Sequence, residues 1–204
     1  MLCRLSPGHE ALLVSPEKPI VLCPRLETTG LAPEIAPDTA TLGLMLPYTP
    51  LHAALFDRLT QQATLPPVLV MTSANPHGEP LCLGNREALS RLGHLADAWL
   101  LHDRDILTRV DDSVLAVRPG YTDTEQGHAS ASGTAVEPFF YRRARGYVPR
   151  PVCLPDSVPT AQEERPCVLG AGAELKAAIC LARGQEAFVG QHVGDLENPA
   201  TLAF

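Results

Sequence analysis

An α/β fold of mixed α+β character follows from three features of this 204-residue sequence. Apolar runs of strand length alternate with segments of helical spacing, which favours a sheet flanked by helices. Twenty prolines, about twice the usual ~5% usage, divide the chain into short elements and argue against a helical bundle. Polar turns of short side chains follow directly on apolar runs, and ligands of open α/β sheets sit at such strand ends. With 45% hydrophobic residues the chain can bury a sizeable core, and its length allows one large domain or one and a half ordinary ones.

The proline-fixed turn at Ser15-Pro16-Glu17-Lys18-Pro19 leads into Ile20-Val21-Leu22-Cys23, the first predicted strand. Leu42 to Pro47 predicts a second strand stopped by proline, and Thr49 to Phe56 a helix with Pro50 in its first turn. Pro67 to Thr72 has the pattern of a buried strand and runs into the polar turn Ser73-Ala74-Asn75-Pro76-His77-Gly78. Asn85 to Leu95 reads as helix, and Ala98 to Leu101 and Val110 to Val117 as strands around His102-Asp103-Arg104-Asp105. Between Gly120 and Glu137 the composition is that of a loop, across which Leu115 to Arg118 and Phe139 to Arg142 pair as a hairpin. Five prolines between Pro149 and Pro166 mark an interdomain linker. The expected organisation is a domain over 1–149, a linker over 150–166 and the start of a second domain over 167–204. In that second domain Cys167 to Ala173, Ala177 to Leu181 and Glu186 to Gly190 predict a meander. Both ends read as internal to a longer chain.

The formal charge of −7, with no run of Lys or Arg longer than two, lacks the footprint of a general nucleic-acid binder. No apolar stretch reaches the roughly 18 to 20 residues of a membrane helix, and the N-terminus has no secretory signal, so the expected location is the cytoplasm. Six cysteines lie far apart and never as Cys-x-x-Cys, which predicts reduced, structural thiols.

Four stretches carry groups suited to chemistry. Thr72, Ser73 and Asn75 offer hydroxyl and amide groups at a strand end, able to hold a phosphate or carboxylate; the same residues suit an ordinary Asx or Ser/Thr turn. Asp111-Asp112-Ser113 opens a strand, and Arg142, Arg143 and Arg145 place three guanidinium forks within four residues. Such forks fit a triphosphate or a carbamate, and equally a solvated charged edge. Gly170-Ala171-Gly172-Ala173 with Lys176 just beyond presents backbone N–H groups and an ammonium, without a Walker ending, and also fits a plain hairpin turn. His192 and Asp195 add an imidazole and a carboxylate, in a spacing that matches no recognised metal motif. No catalytic residue and no metal ligand is assigned.

Taken in order, these segments resemble the HypF family of carbamoyltransferases. The likeness rests on Leu46-Pro47-Tyr48-Thr49-Pro50-Leu51-His52, Met71-Thr72-Ser73-Ala74-Asn75 with Gly78-Glu79-Pro80, and Leu101-His102-Asp103-Arg104-Asp105-Ile106. It continues through Asp111-Asp112-Ser113-Val114, Arg142-Arg143-Ala144-Arg145-Gly146-Tyr147-Val148-Pro149, and Glu174-Leu175-Lys176 with Gln191-His192-Val193-Gly194-Asp195-Leu196-Glu197-Asn198. The resemblance covers nearly the whole chain. It implies the back half of a YrdC-like open twisted sheet, followed by the first strands of an actin-like ATPase-type (ribonuclease H-like) transfer domain. It further implies carbamoyl phosphate or its carbamate and ATP with Mg2+ as substrates, carbamoyl-AMP as intermediate, and the C-terminal cysteine of HypE as acceptor, in nickel–iron hydrogenase maturation.

By this resemblance Ser73 and Asn75, with Thr72, contact phosphate or carbamate. Ser113 holds the carbamoyl end, and Arg142, Arg143 and Arg145 neutralise phosphate charge. Lys176, His192 and Asp195 approach the nucleotide of the second domain. The zinc motifs, the acylphosphatase-like domain and the metal-binding histidines of the family are expected outside these residues, so the chain alone is expected to be inactive. Two other readings are a threonylcarbamoyl-AMP synthase acting in transfer-RNA modification and a non-catalytic docking remnant.

Overall fold

Val21 and Cys23 are wholly buried on one side of the strand after Pro19, and Ile20 and Leu22 are half-buried on the other, the pattern of a strand with one face packed on the core. In the computed structural model this strand, β1 (Ile20–Pro24), lies antiparallel to β2 (Thr41–Leu44) and parallel to β3 (Val114–Val117). β3 in turn lies antiparallel to β4 (Pro138–Arg142), giving the order β2-β1-β3-β4. The predicted hairpin across the long loop is therefore present, with Leu115 opposite Phe140. The structure describes residues 2–27, 30–64, 66–118, 138–155, 167–174 and 177–202. The loop over 120–137 and Lys176 fall outside them, as does the linker from 156 onward.

Helix α1 (Pro7–Val14) was not expected from the sequence. Its start is a capping box with histidine in the place of glutamate. The His9 N–H donates to Ser6 Oγ, and the Ser6 N–H donates back to His9 Nδ1, with Pro7 at the first helical position. Leu12 and Leu13 pack into a core with Cys3, Val21, Cys23, Leu42 and Leu115. Helix α2 (Pro50–Gln62) begins where the sequence places it. Thr49 Oγ1 accepts the His52 N–H at 3.1 Å and Pro50 opens the first turn. No side chain of α2 is buried.

These elements form one compact unit, Met1–Leu69 with Asp112–Tyr147. The second unit comprises Val70–Asp111 and Val148–Phe204. It holds α3 (Asn85–Leu92), a short α4 (Pro199–Leu202), and a sheet of β5 (Val152–Cys153), β6 (Val168–Ala171), β7 (Ile179–Arg183) and β8 (Glu186–Val189). The sheet order is β5-β8-β7-β6, all antiparallel, so the predicted meander is present and gains a strand from the proline-rich stretch.

Two predicted strands do not form. Residues 67–72 and 98–101 pair with no strand among the described residues, and Val70 and Leu100 are 77% and 78% exposed. Their apolar composition suits a strand, but a strand exists only where a neighbouring backbone takes up its N–H and C=O groups. α3 also ends three residues before the predicted Leu95, at the turn where the Gly93 N–H bonds Leu89 O.

Candidate functional site

Arg145 gathers the polar groups of the first unit. Its Nε donates to Asp112 Oδ1 at 2.6 Å, Nη1 to Glu17 O at 2.9 Å and Nη2 to Lys18 O at 2.7 Å. Nη2 also reaches Met45 Sδ at 3.9 Å, and the guanidinium carbon lies 3.7 Å from the centroid of the Tyr48 ring. Only a planar fork meets a carboxylate, two carbonyls and an aromatic face together. Tyr48 in turn meets His52 edge-on, centroids 4.9 Å apart. Burial holds the Tyr48 phenol above its ordinary pKa, the Asp112 charge adds to this, and Arg145 opposes it.

Around this hub the Arg142 to Pro149 stretch is fixed by a buried serine, a buried alanine and a glycine. Ser113 has no solvent exposure, and its hydroxyl accepts the Ala144 N–H at 2.8 Å and donates to Arg145 O at 2.9 Å. One small side chain thus staples the start of β3 to the end of β4. Ala144 is fully buried, where a larger side chain would clash. Gly146 has φ +86°, and a Cβ there would stand 2.8 Å from Glu17 Cβ, so glycine is required twice over. The Tyr147 ring packs on Phe140 at 4.7 Å. Arg142 Nε donates to Asp112 O at 2.8 Å and Arg143 Nη2 to Tyr147 O at 3.0 Å, both side chains remaining half-exposed. Ser113, Arg142, Arg143 and Arg145 are thereby brought together, with Asp112 and Tyr48 joining them. The latter two stand inside the quoted motifs, but nothing in their local sequence says that they meet.

Thr72, Ser73 and Asn75 belong to the second unit. Thr72 and Ser73 are exposed, while the Asn75 amide nitrogen donates to Pro76 O and Glu79 O at 3.0 and 2.8 Å. Its Oδ1 is buried and has no hydrogen-bond partner among the described residues. Arg91 pairs with Glu79 and, at 2.6 Å, with Glu87, which also takes the Leu83 N–H at 3.0 Å. That backbone hydrogen bond and Arg91 hold the Glu87 carboxyl below its ordinary pKa. His192 Nε2 stands 3.4 Å from Asp111 Oδ2, and Asp195 Oδ1 accepts the Glu197 N–H at 3.0 Å. Among the described residues no three His, Cys, Asp or Glu side chains come together to hold a metal ion.

The Sua5/YciO/YrdC family, described as telomere recombination, matches residues 2–124, and the HypF Kae1-like domain matches residues 163–204. Carbamoyltransferase HypF2 of Cupriavidus necator is 47% identical over 95% of this chain and 23% of that protein. Carbamoyltransferase HypF of Rhizobium leguminosarum bv. viciae is 43% identical over 100% of this chain and 24% of its own length. The fold matches the crystal structure of full-length HypF in the phosphate- and nucleotide-bound form, with a TM-score of 0.75 and 38% identity over 99% of this chain and 28% of that one. It also matches the T. kodakarensis HypF structure, with a TM-score of 0.77 and 32% identity over 99% of this chain and 23% of that one. The chain spans less than a quarter of the length of these two curated relatives. From the segment order in the sequence, the matched folds and these identities, the chain belongs to the HypF family of carbamoyltransferases.

Proposed function

We propose that this chain serves ATP-dependent carbamoyl transfer in the maturation of nickel–iron hydrogenases. The observation that carries the reading is the match, over 99% of the chain, to a HypF structure described as phosphate- and nucleotide-bound. Water hydrolyses carbamoyl phosphate to inorganic phosphate and carbamate, a poor electrophile. A carbamate oxygen attacks the α-phosphorus of ATP, pyrophosphate leaves, and the mixed anhydride carbamoyl-AMP results. The thiolate of a HypE C-terminal cysteine then attacks the carbamoyl carbon and AMP departs.

The residues act by position and charge. Arg142 and Arg143, half-exposed beside the Arg145 hub, face phosphate oxygens, and Arg145 with Ser113 fixes the backbone from which they project. In the second unit, Thr72, Ser73 and Asn75 offer hydroxyl and amide groups at one turn, suited by themselves to a phosphate or carbamate oxygen. Magnesium travels with ATP as its counterion, and no residue of this chain is assigned to it.

The test uses the natural full-length protein, because this chain is less than a quarter of its two curated relatives. Pyrophosphate release from ATP is expected to require carbamoyl phosphate, while the 204-residue chain alone releases none. The match of residues 2–124 to the Sua5/YciO/YrdC family favours one second reading, a threonylcarbamoyl-AMP synthase. Release that requires threonine and bicarbonate instead would establish that reading and discard the first.

A further inference from the structure

We propose that Gln191 to Asn198 is a docking strip that clasps residues 78–111 of the same chain. Three side chains of the strip reach three acceptors of that segment. Asn198 Nδ2 donates to Gly78 O at 2.9 Å, Gln191 Nε2 to Arg109 O at 2.5 Å, and His192 Nε2 stands 3.4 Å from Asp111 Oδ2. The strip contributes amide and imidazole nitrogens; the other side contributes two carbonyls and a carboxylate. That division of donors and acceptors is what a complementary interface requires.

Each side also carries hydrogen bonds of its own, which the contact reinforces. The Val193 N–H bonds Ala177 O at 2.7 Å, and Gly194, at φ +116°, lets the chain turn toward Asp195, whose carboxylate closes the next turn on the Glu197 N–H. Across the seam, Arg109 Nε donates to Leu81 O at 2.6 Å. The clasp joins residues of the segment matched by the Sua5/YciO/YrdC family to residues of the segment matched by the HypF Kae1-like domain, within one compact unit. It does not depend on the proposed chemistry. It gives His192 a structural duty in place of a nucleotide contact.

Amide hydrogen exchange on the intact protein, without nucleotide, tests the clasp. Gln191→Glu keeps the shape but replaces the donor with a carboxylate facing a carbonyl. It is expected to speed exchange at residues 191–194, where the Val193 N–H is held by Ala177 O, by about threefold or more, while Val21 and Leu115 in the first sheet stay protected. Asp111→Asn is expected to speed exchange at 191–194, and the Asp111→Asn, His192→Gln double variant no further than the faster single. If Gln191→Glu also exposes Val21, Asn198→Ala replaces it, read at residues 76–80. Unchanged exchange across the seam in these variants would overturn the proposal. So would a His192→Gln variant that loses ATP affinity while exchange at 191–194 stays unaltered.

Discussion

At the scale of single residues, Arg145 meets Asp112, two carbonyls and the Tyr48 ring with one rigid group, and lysine would offer one point charge in its place. Arg145→Lys is expected to lower stability by about 2–3 kcal/mol, and Ser113→Ala by about 1–3 kcal/mol through the stranded Ala144 N–H and Arg145 carbonyl. Urea unfolding followed by circular dichroism checks both, and an unchanged midpoint for either would count against its assigned contacts. Burial, with a smaller contribution from Cys3, pushes the Cys23 thiol up to about 11, and burial raises Cys3 and Cys82 as well. Exposed Cys153 and Cys167 are therefore expected to react with a thiol reagent at pH 8 well before those three, which wait for unfolding. Because the folded pKa of Cys23 lies above the unfolded one, its contribution to stability is complete below about pH 9 and is lost as pH rises toward about 11. A stability profile that climbs through that window would contradict the assignment.

At the scale of elements, α2 is the clearest case of local sequence prevailing without burial. Thr49, Pro50 and a run of good helix formers set its start and course, yet no side chain of it is buried. Its amides are expected to exchange faster than those of the shorter α1, which has Leu12 and Leu13 in the core, and Thr49→Ala is expected to cost about 1 kcal/mol of helix stability. Slower exchange in α2 than in α1 would refute the first expectation. What was legible in the sequence follows the same division. Caps, proline punctuation and the turns after β6 and β7 are encoded within a few residues, so α2, the start of α3 and the meander could be read. Residues 67–72 and 98–101 could not, because strand formation is decided by a partner that the segment itself does not name. α1 is not legible in the sequence because its capping box uses His9 instead of the familiar Glu or Gln. For the candidate site the motifs were visible while their pairings were not. Asp112 and Arg145 are brought together only by the β3–β4 hairpin, across a stretch whose composition signals a loop and no more.

At the scale of the whole molecule, the two sheets are treated very differently by solvent. The first has Val21, Cys23 and Leu115 wholly buried, whereas Leu169, Leu181 and Phe188 form a cross-strand row in the second sheet that remains exposed. An apolar row of this kind invites association. The chain is expected to bind a hydrophobic dye, and Leu169→Lys with Leu181→Lys to reduce that binding without lowering the unfolding midpoint of the first sheet. Undiminished dye binding would place the sticky surface elsewhere. The parallel pairing of β1 with β3 carries a consequence for biosynthesis. Residues 20 and 114 are partners, and the carbonyls of Glu17 and Lys18 await Arg145, so a ribosome must release about seven tenths of these 204 residues before the first sheet can close. Until then the nascent β1–β2 hairpin stands with one edge open, and a chaperone would find its opportunity in that interval.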